Sequence, residues 1–214
     1  MRQGIAASVV PRLVDTYCRN FAAKNFRIHP RSYFSWRLVV VLSPSTMFGI
    51  ISHVSVGTND IAASARFYDA VMPAIGSKRI MTIYQRTDPA EGEDAMFKEM
   101  GTATSPTTCD ADKCQAVAVA YGKYAPEFWI QMTLDRNPAT PGNGTHFAFS
   151  GKNQAMVRAW YDAAIAAGAK DNGPPGPRPQ YGKQYYGAFA IDPDGNKIEC
   201  MYWDMGWMGY CAIQ

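Results

Sequence analysis

Histidine is scarce in this chain, with three in 214 residues. Charge is sparse too: Asp, Glu, Lys and Arg make up 18% and leave a net charge of only +3. No apolar run approaches the roughly 20 residues that a bilayer-spanning helix needs, so no membrane partner is expected. The near-neutral balance lacks the clustered basic face that binds phosphate backbones, so nucleic acid is not an expected partner either. No secretory signal is legible, so the five cysteines are expected as thiols in a reducing compartment. What remains is 47% hydrophobic and 13% aromatic, enough for a real core.

The basic charge is placed unevenly. Residues 1–46 hold seven Lys and Arg against one acid, Asp15, while the rest holds fourteen basic and seventeen acidic residues. An Arg-rich, acid-poor start (Arg2, Arg12, Arg19, Arg27, Arg31, Arg37) has the composition of a mitochondrial transit peptide. Pro11 and Pro30 interrupt any long amphipathic helix there. The expectation is a basic extension over 1–46, disordered or a targeting segment, ahead of a body over 47–214. The expected location is cytoplasmic, with mitochondrial as the alternative.

The body is a duplicated unit. HVSVGTNDIAASARFYDAVMPAIG from His53 lies over HFAFSGKNQAMVRAWYDAAIAAGA from His146. Each begins with a histidine in a short strand and passes through a polar turn into a helix. Phe67-Tyr68-Asp69-Ala70 and Trp160-Tyr161-Asp162-Ala163 then fall at the same distance from the histidine. Ile61, Ala65, Tyr68, Met72 and Ile75 share one helical face, as do Val157, Trp160, Ala164 and Ala167. Asn59 or Asp60 and Asn153 are the expected caps. Strands are expected near 78–85, 116–121 and 128–134 in the first unit, and near 169–171, 185–191 and 197–203 in the second. Asp192-Pro193-Asp194-Gly195 makes the turn between the last two. Module 1 thus spans about 47–135 with a surface-loop insertion near 86–113. Module 2 spans about 144–204, and an aromatic tail occupies 205–214. Cys109 and Cys114 fall in the inserted loop. They lack the two further ligands a zinc site needs, so free or redox-labile thiols are expected.

His53 and His146 open the two units at equivalent positions. A pseudo-twofold axis would bring them towards each other. His53 shares a strand face with Ser55 and Gly57, and His146 with Ala148 and Ser150. Glu199 sits in the apolar run IECMYW, where a carboxylate needs a partner. Two imidazoles and a carboxylate make the ligand set of an open divalent-metal site. Aligning Ile130-Gln131 with Ile198-Glu199 makes Gln131 a candidate weak fourth ligand. Trp129, Tyr185, Tyr186 and Arg178 are candidates for a substrate-pocket wall.

The body resembles the vicinal oxygen chelate superfamily, which includes glyoxalase I, bleomycin-resistance proteins, extradiol dioxygenases and fosfomycin-resistance transferases. The carriers are ISHVSVGTNDIAASARFYDAV, GNGTHFAFSGKNQAMVRAWYDAA and YYGAFAIDPDGNKIECMYW. The resemblance covers about 47–204. It implies an α+β fold of two βαβββ modules in pseudo-twofold pairing, forming a curved, partly open barrel around a metal. It puts His53, His146 and Glu199 on one divalent ion (Zn, Ni, Fe or Mn), with Gln131 at the fourth place and Glu199 as the catalytic base. The implied function is a metal-dependent, glyoxalase-like lyase or isomerase, similar to lactoylglutathione lyase, acting on a small molecule with neighbouring oxygens. An extradiol-type Fe(II) dioxygenase and a fosfomycin-resistance-like transferase are the alternatives. A non-catalytic, bleomycin-resistance-like binding protein is the alternative of another class. A small-molecule substrate is the expected partner, and a homodimer is an open alternative to the monomer.

Overall fold

A computed structural model of the chain describes residues 51–89 and 95–204. The extension over 1–46 and the tail over 205–214 lie outside the described residues. The first unit runs β1 (Val54–Gly57), α1 (Ile61–Val71), a 3-10 turn (Met72–Ile75), β2 (Lys78–Arg86), β3 (Met96–Met100), β4 (Cys114–Gly122) and β5 (Phe128–Gln131). The second runs β6 (His146–Ser150), α2 (Gln154–Ala166), β7 (Lys170–Asp171), β8 (Gly176–Pro177), β9 (Tyr185–Ile191) and β10 (Lys197–Trp203). The first sheet has the order β1-β5-β4-β2-β3. The second has β6-β10-β9-β7, with β8 also paired to β9. β1 and β6 each pair in parallel with the last strand of their unit, and the other pairs are antiparallel.

The helices start where their caps put them. The Asp60 side chain accepts the Ala63 N–H at 2.9 Å, and Asn153 accepts that of Met156 at 2.9 Å. Asn59, the other candidate cap, donates instead to the Ala139 carbonyl and accepts the Ala139 N–H. Past the 3-10 turn, Gly76 takes a left-handed φ of 74°, which a side chain would resist. Ala65, Tyr68, Val71 and Met72 of the first unit and Val157, Trp160 and Ala164 of the second are buried in one core. Each helix lies on its own sheet and also touches the other helix. The core therefore sits between the two sheets, and the α+β architecture is two modules back to back. The sheets do not close into a barrel.

A polar seam joins the modules. Tyr68 of α1 donates its hydroxyl to Asp192 at 2.7 Å, and Asn196 donates its backbone N–H to the same carboxylate at 2.7 Å. Burial pushes the Asp192 carboxyl up, against the pull of these donors. Burial also opposes the charge on Asp194. There the donors win: the Asn59 N–H at 3.0 Å and the Ser64 hydroxyl at 2.5 Å hold it below the usual carboxylate range.

Three expectations need correction. The expected loop over 86–113 contains a strand, β3, which pairs with β2 and stacks Phe97 on Tyr84 at 5.5 Å. Each face of MFKEM mixes apolar with charged residues, so no alternation is legible. β5 ends at Gln131 rather than 134, and Leu134 stands fully exposed. Cys109 and Cys114 are joined in a disulfide that ties the loop to the first residue of β4, so they are not free thiols. Among the described residues no helix is long and apolar enough to cross a membrane.

The Asp194 bonds have a testable consequence. A carboxylate whose folded pKa lies below its unfolded value stabilises the fold above the ordinary aspartate pKa of about 4. That stabilisation is lost as pH falls through the folded value. Asp194→Ala is expected to cost about 1–3 kcal/mol at pH 7 in urea unfolding. The gap to wild type should narrow below pH 4.

Candidate functional site

Strand alternation decides which side chains of the second sheet reach solvent. Ile198 and Cys200 of β10 and Phe147 and Phe149 of β6 turn towards the helices. Lys197, Glu199, Met201 and Trp203 therefore take the outer face, with His146, Ala148 and Ser150 beside them. The register sets Lys197 against His146 and Glu199 against Ala148. The long Glu199 side chain leans back across that small neighbour, and its Oε2 lies 3.4 Å from His146 Nε2. The His146 side chain is 47% exposed and that of Glu199 only 2%. A surface imidazole thus covers a buried carboxylate.

Tyr185 of β9 completes the cluster. Its hydroxyl donates to Glu199 Oε1 at 2.6 Å, a charge-assisted bond that offsets the cost of burying the carboxylate. Burial first, and then the neighbouring carboxylate, raise the Tyr185 phenol above its ordinary value and so keep it the donor. Gly187 makes room: a Cβ there would meet Glu199 Oε1 at 3.0 Å and the Tyr185 ring at 3.1 Å. Cys200, on the core side, is pushed up to about 12, chiefly by burial, and stays a neutral thiol. Beside His146 lies an open groove of about 420 Å³, walled by the 141–145 loop, Gly195 and Lys197.

The other expected site residues lie elsewhere. His53, just before β1, is exposed, and its Nδ1 is 3.4 Å from Ser52 Oγ. It precedes Val54 and Val56, which face the core, and so belongs with Ser55 on the outer face of the first sheet. Trp129 and Gln131 share that outer face, opposite Ser55 and Gly57 in register. Counting from each histidine, the place that Glu199 holds against Ala148 is held by Trp129 against Ser55; Gln131 is two residues further on. Tyr186 turns into the core side, where its hydroxyl accepts from Arg158 at 2.9 Å. Arg178 donates to the Pro174 carbonyl at 2.6 Å and lies 5.6 Å from the Phe189 ring. The structure thus brings His146, Glu199 and Tyr185 together and leaves His53, Gln131 and Trp129 on the other module. Among the described residues, no three His, Cys, Asp or Glu side chains are grouped closely enough to hold one ion.

Two residues that the sequence reading passed over stand next to this cluster. Tyr181 packs edge-on to Tyr185 with ring centroids 5.3 Å apart, and Trp203 does so at 5.5 Å. Trp203 could have been found from its even spacing with Glu199 on β10. Tyr181 sits in a loop and has no such signal.

Tyr185→Phe leaves the buried Glu199 oxygen without its donor. It is expected to lower the unfolding free energy by about 1–3 kcal/mol. Glu199→Gln keeps an acceptor for the hydroxyl and should cost less. Urea denaturation of the two variants, without added metal, measures the difference.

Comparison with known proteins agrees with this architecture. A search of curated protein sequences gives no match. Among solved structures, a glyoxalase/bleomycin resistance protein from Albidiferax ferrireducens T118 is 28% identical with a TM-score of 0.52, covering 72% of this chain and 98% of its own. A glyoxalase-related enzyme from Fulvimarina pelagi is 16% identical with a TM-score of 0.43, over 71% of this chain and 86% of its own. The genomically encoded fosfomycin resistance protein FosX from Listeria monocytogenes is 14% identical with a TM-score of 0.43, over 73% and 94%. The model of the glyoxalase/bleomycin resistance protein/dioxygenase superfamily matches residues 50–200, and the chain belongs to that superfamily.

Proposed function

We propose that this chain is a divalent-metal-dependent enzyme of the glyoxalase type, a lyase or isomerase acting on a small molecule with two neighbouring oxygens. The observation that carries the reading is the pair His146 and Glu199. An imidazole nitrogen and a carboxylate oxygen 3.4 Å apart suit two ligands of one ion, each at about 2.0–2.2 Å. A groove of about 420 Å³ opens beside His146. His53 is the proposed third ligand; Gln131 stands on the same outer face, opposite Gly57 in register and so four residues further along the strand pair. Because that face belongs to the other module, a second copy of the chain must supply it, and the proposed assembly is a homodimer.

The ion would act as a Lewis acid on the two substrate oxygens. The chain's own residues do the rest. Tyr185 holds Oε1 of Glu199 by its hydroxyl and so turns Oε2 towards His146. Oε2 is then the atom that binds the cation or takes a proton from the carbon beside the chelated oxygens. The burial of Glu199 keeps water from competing for it.

A second reading is small-molecule binding without turnover. The lack of a third ligand near His146 and Glu199 among the described residues favours it. Elemental mass spectrometry after loading with Zn, Ni, Fe(II) or Mn separates the two. The enzyme reading expects about one ion per chain, bound at least tenfold more weakly by His146→Ala, Glu199→Ala and His53→Ala. Mixing the His53→Ala and Glu199→Ala chains should restore part of the binding through mixed dimers. A wild-type chain that takes up none of the four ions overturns the metalloenzyme and leaves the binder.

A further inference from the structure

Trp203 and Tyr181 are large aromatic residues that the fold leaves 44% and 53% exposed. Scattered exposed aromatics are ordinary, but these two flank the same ring, Tyr185, which itself bonds to the buried carboxylate. Both contacts are edge-to-face, with interplanar angles of 65° and 77°. The three rings therefore form a stepped wall rather than a closed stack. Trp203 stands on the outer face with Glu199, four residues further along β10, about 13 Å by strand rise. The Tyr185 side chain bridges most of that span.

The wall is built to stay in place. Tyr181 N–H donates to the Arg178 carbonyl at 2.9 Å, Gly182 N–H to Pro179 at 3.1 Å, and Tyr185 N–H to Gly182 at 3.1 Å. Gly182 takes a φ of 139° and lies against the Trp203 indole, where a Cβ would sit 3.6 Å from the ring. Rings held in this way lose little further freedom when a ligand docks on them. At the opposite end of the face, Lys197 lies beside His146 in register and lines the groove. The face thus runs from an ammonium, past a carboxylate and imidazole, to an aromatic wall.

We propose that Tyr181, Tyr185 and Trp203 form an aryl-binding subsite. It takes the ring of an aryl-bearing hydroxy or oxo acid whose oxygens lie at Glu199 and His146 and whose carboxylate points towards Lys197. The subsite deepens the metal-centred reading of His146 and Glu199 and rests on it for the placement of the oxygens. The ring and the oxygens must be separated by a short chain, because Tyr185 stands between the two ends. Flat aromatic faces of Tyr and Trp favour an aryl group over an alkyl group of similar area.

The test uses the full chain in zinc-loaded and metal-free forms, with two acids that differ only by the ring: 2-hydroxy-4-phenylbutanoate and 2-hydroxybutanoate. A third probe, 3-phenylpropan-1-ol, carries the ring without the acid. Calorimetric titration is expected to show the phenyl acid binding the zinc-loaded protein about tenfold more tightly than the alkyl acid. Trp203→Leu and Tyr181→Leu should erase that advantage without weakening the alkyl acid, while Trp203→Phe keeps most of it. Circular dichroism checks that each variant is folded. Equal affinity for the two acids, or full retention of the advantage in Trp203→Leu, overturns the subsite and leaves the metal reading standing. If neither acid responds to zinc but 3-phenylpropan-1-ol binds wild type and not Trp203→Leu, the subsite stands and the metal reading falls. Failure of all three probes to bind overturns the subsite.

Discussion

The contact of α1 with α2 determines which surfaces of this protein can meet a ligand. Each helix covers one face of its own sheet, and the two fill the space between the sheets with Tyr68 and Trp160, packed with Ile130 of β5 and Ile198 of β10. Full burial of such side chains contributes about 1.5–3 kcal/mol each against exposure. The two inner faces are therefore committed to the core, and only the outer faces remain for chemistry. The same contact forces a polar seam inside. Tyr68 is fully buried and needs a partner for its hydroxyl, and Asp192 supplies it from the other module. That carboxylate accepts from Tyr68 and from the Asn196 backbone and side chain, which offsets the cost of its own burial.

The two outer faces have diverged from a common plan. Both begin with a histidine at the edge of a parallel pair of strands. On the second sheet the next place in register is a carboxylate, and three neighbours adapt to it: Tyr185 donates, Gly187 leaves space and Ala148 stays small. On the first sheet that place is Trp129, with Ser55 opposite and Gln131 beyond. A carboxylate can be buried only where such support exists, so the second sheet holds the buried acid and the first an aromatic ring.

Much of this was legible in the sequence because helical stripes are long and redundant. Phe67 and Trp160 fall at matching places, and Asp60 and Asn153 cap the helices that carry them. Strand registers are less legible, since a strand carries only alternation and a slide of two residues preserves it. Ile130-Gln131 and Ile198-Glu199 look alike as dipeptides yet stand two places apart when counted from the histidines. The strand β3 escaped notice because it is short and each of its faces mixes apolar with charged residues, Met96 and Met100 with Lys98 and Phe97 with Glu99. Tyr181 was invisible for another reason. Its place beside Tyr185 depends on a turn closed by backbone bonds alone, which leave no mark in side-chain pattern.

In both sheets the first strand of the unit borders only the last. β6 cannot join its sheet through any neighbour until β10 exists, and Glu199 follows His146 by 53 residues. Parallel pairing over such a separation closes a long loop and comes late in folding. As the chain is synthesised, the helices and the β9 segment are therefore complete before the imidazole and the carboxylate can meet. A chain that stops short of β10 would lack the carboxylate and would also leave the strand that carries the imidazole with nothing to pair with.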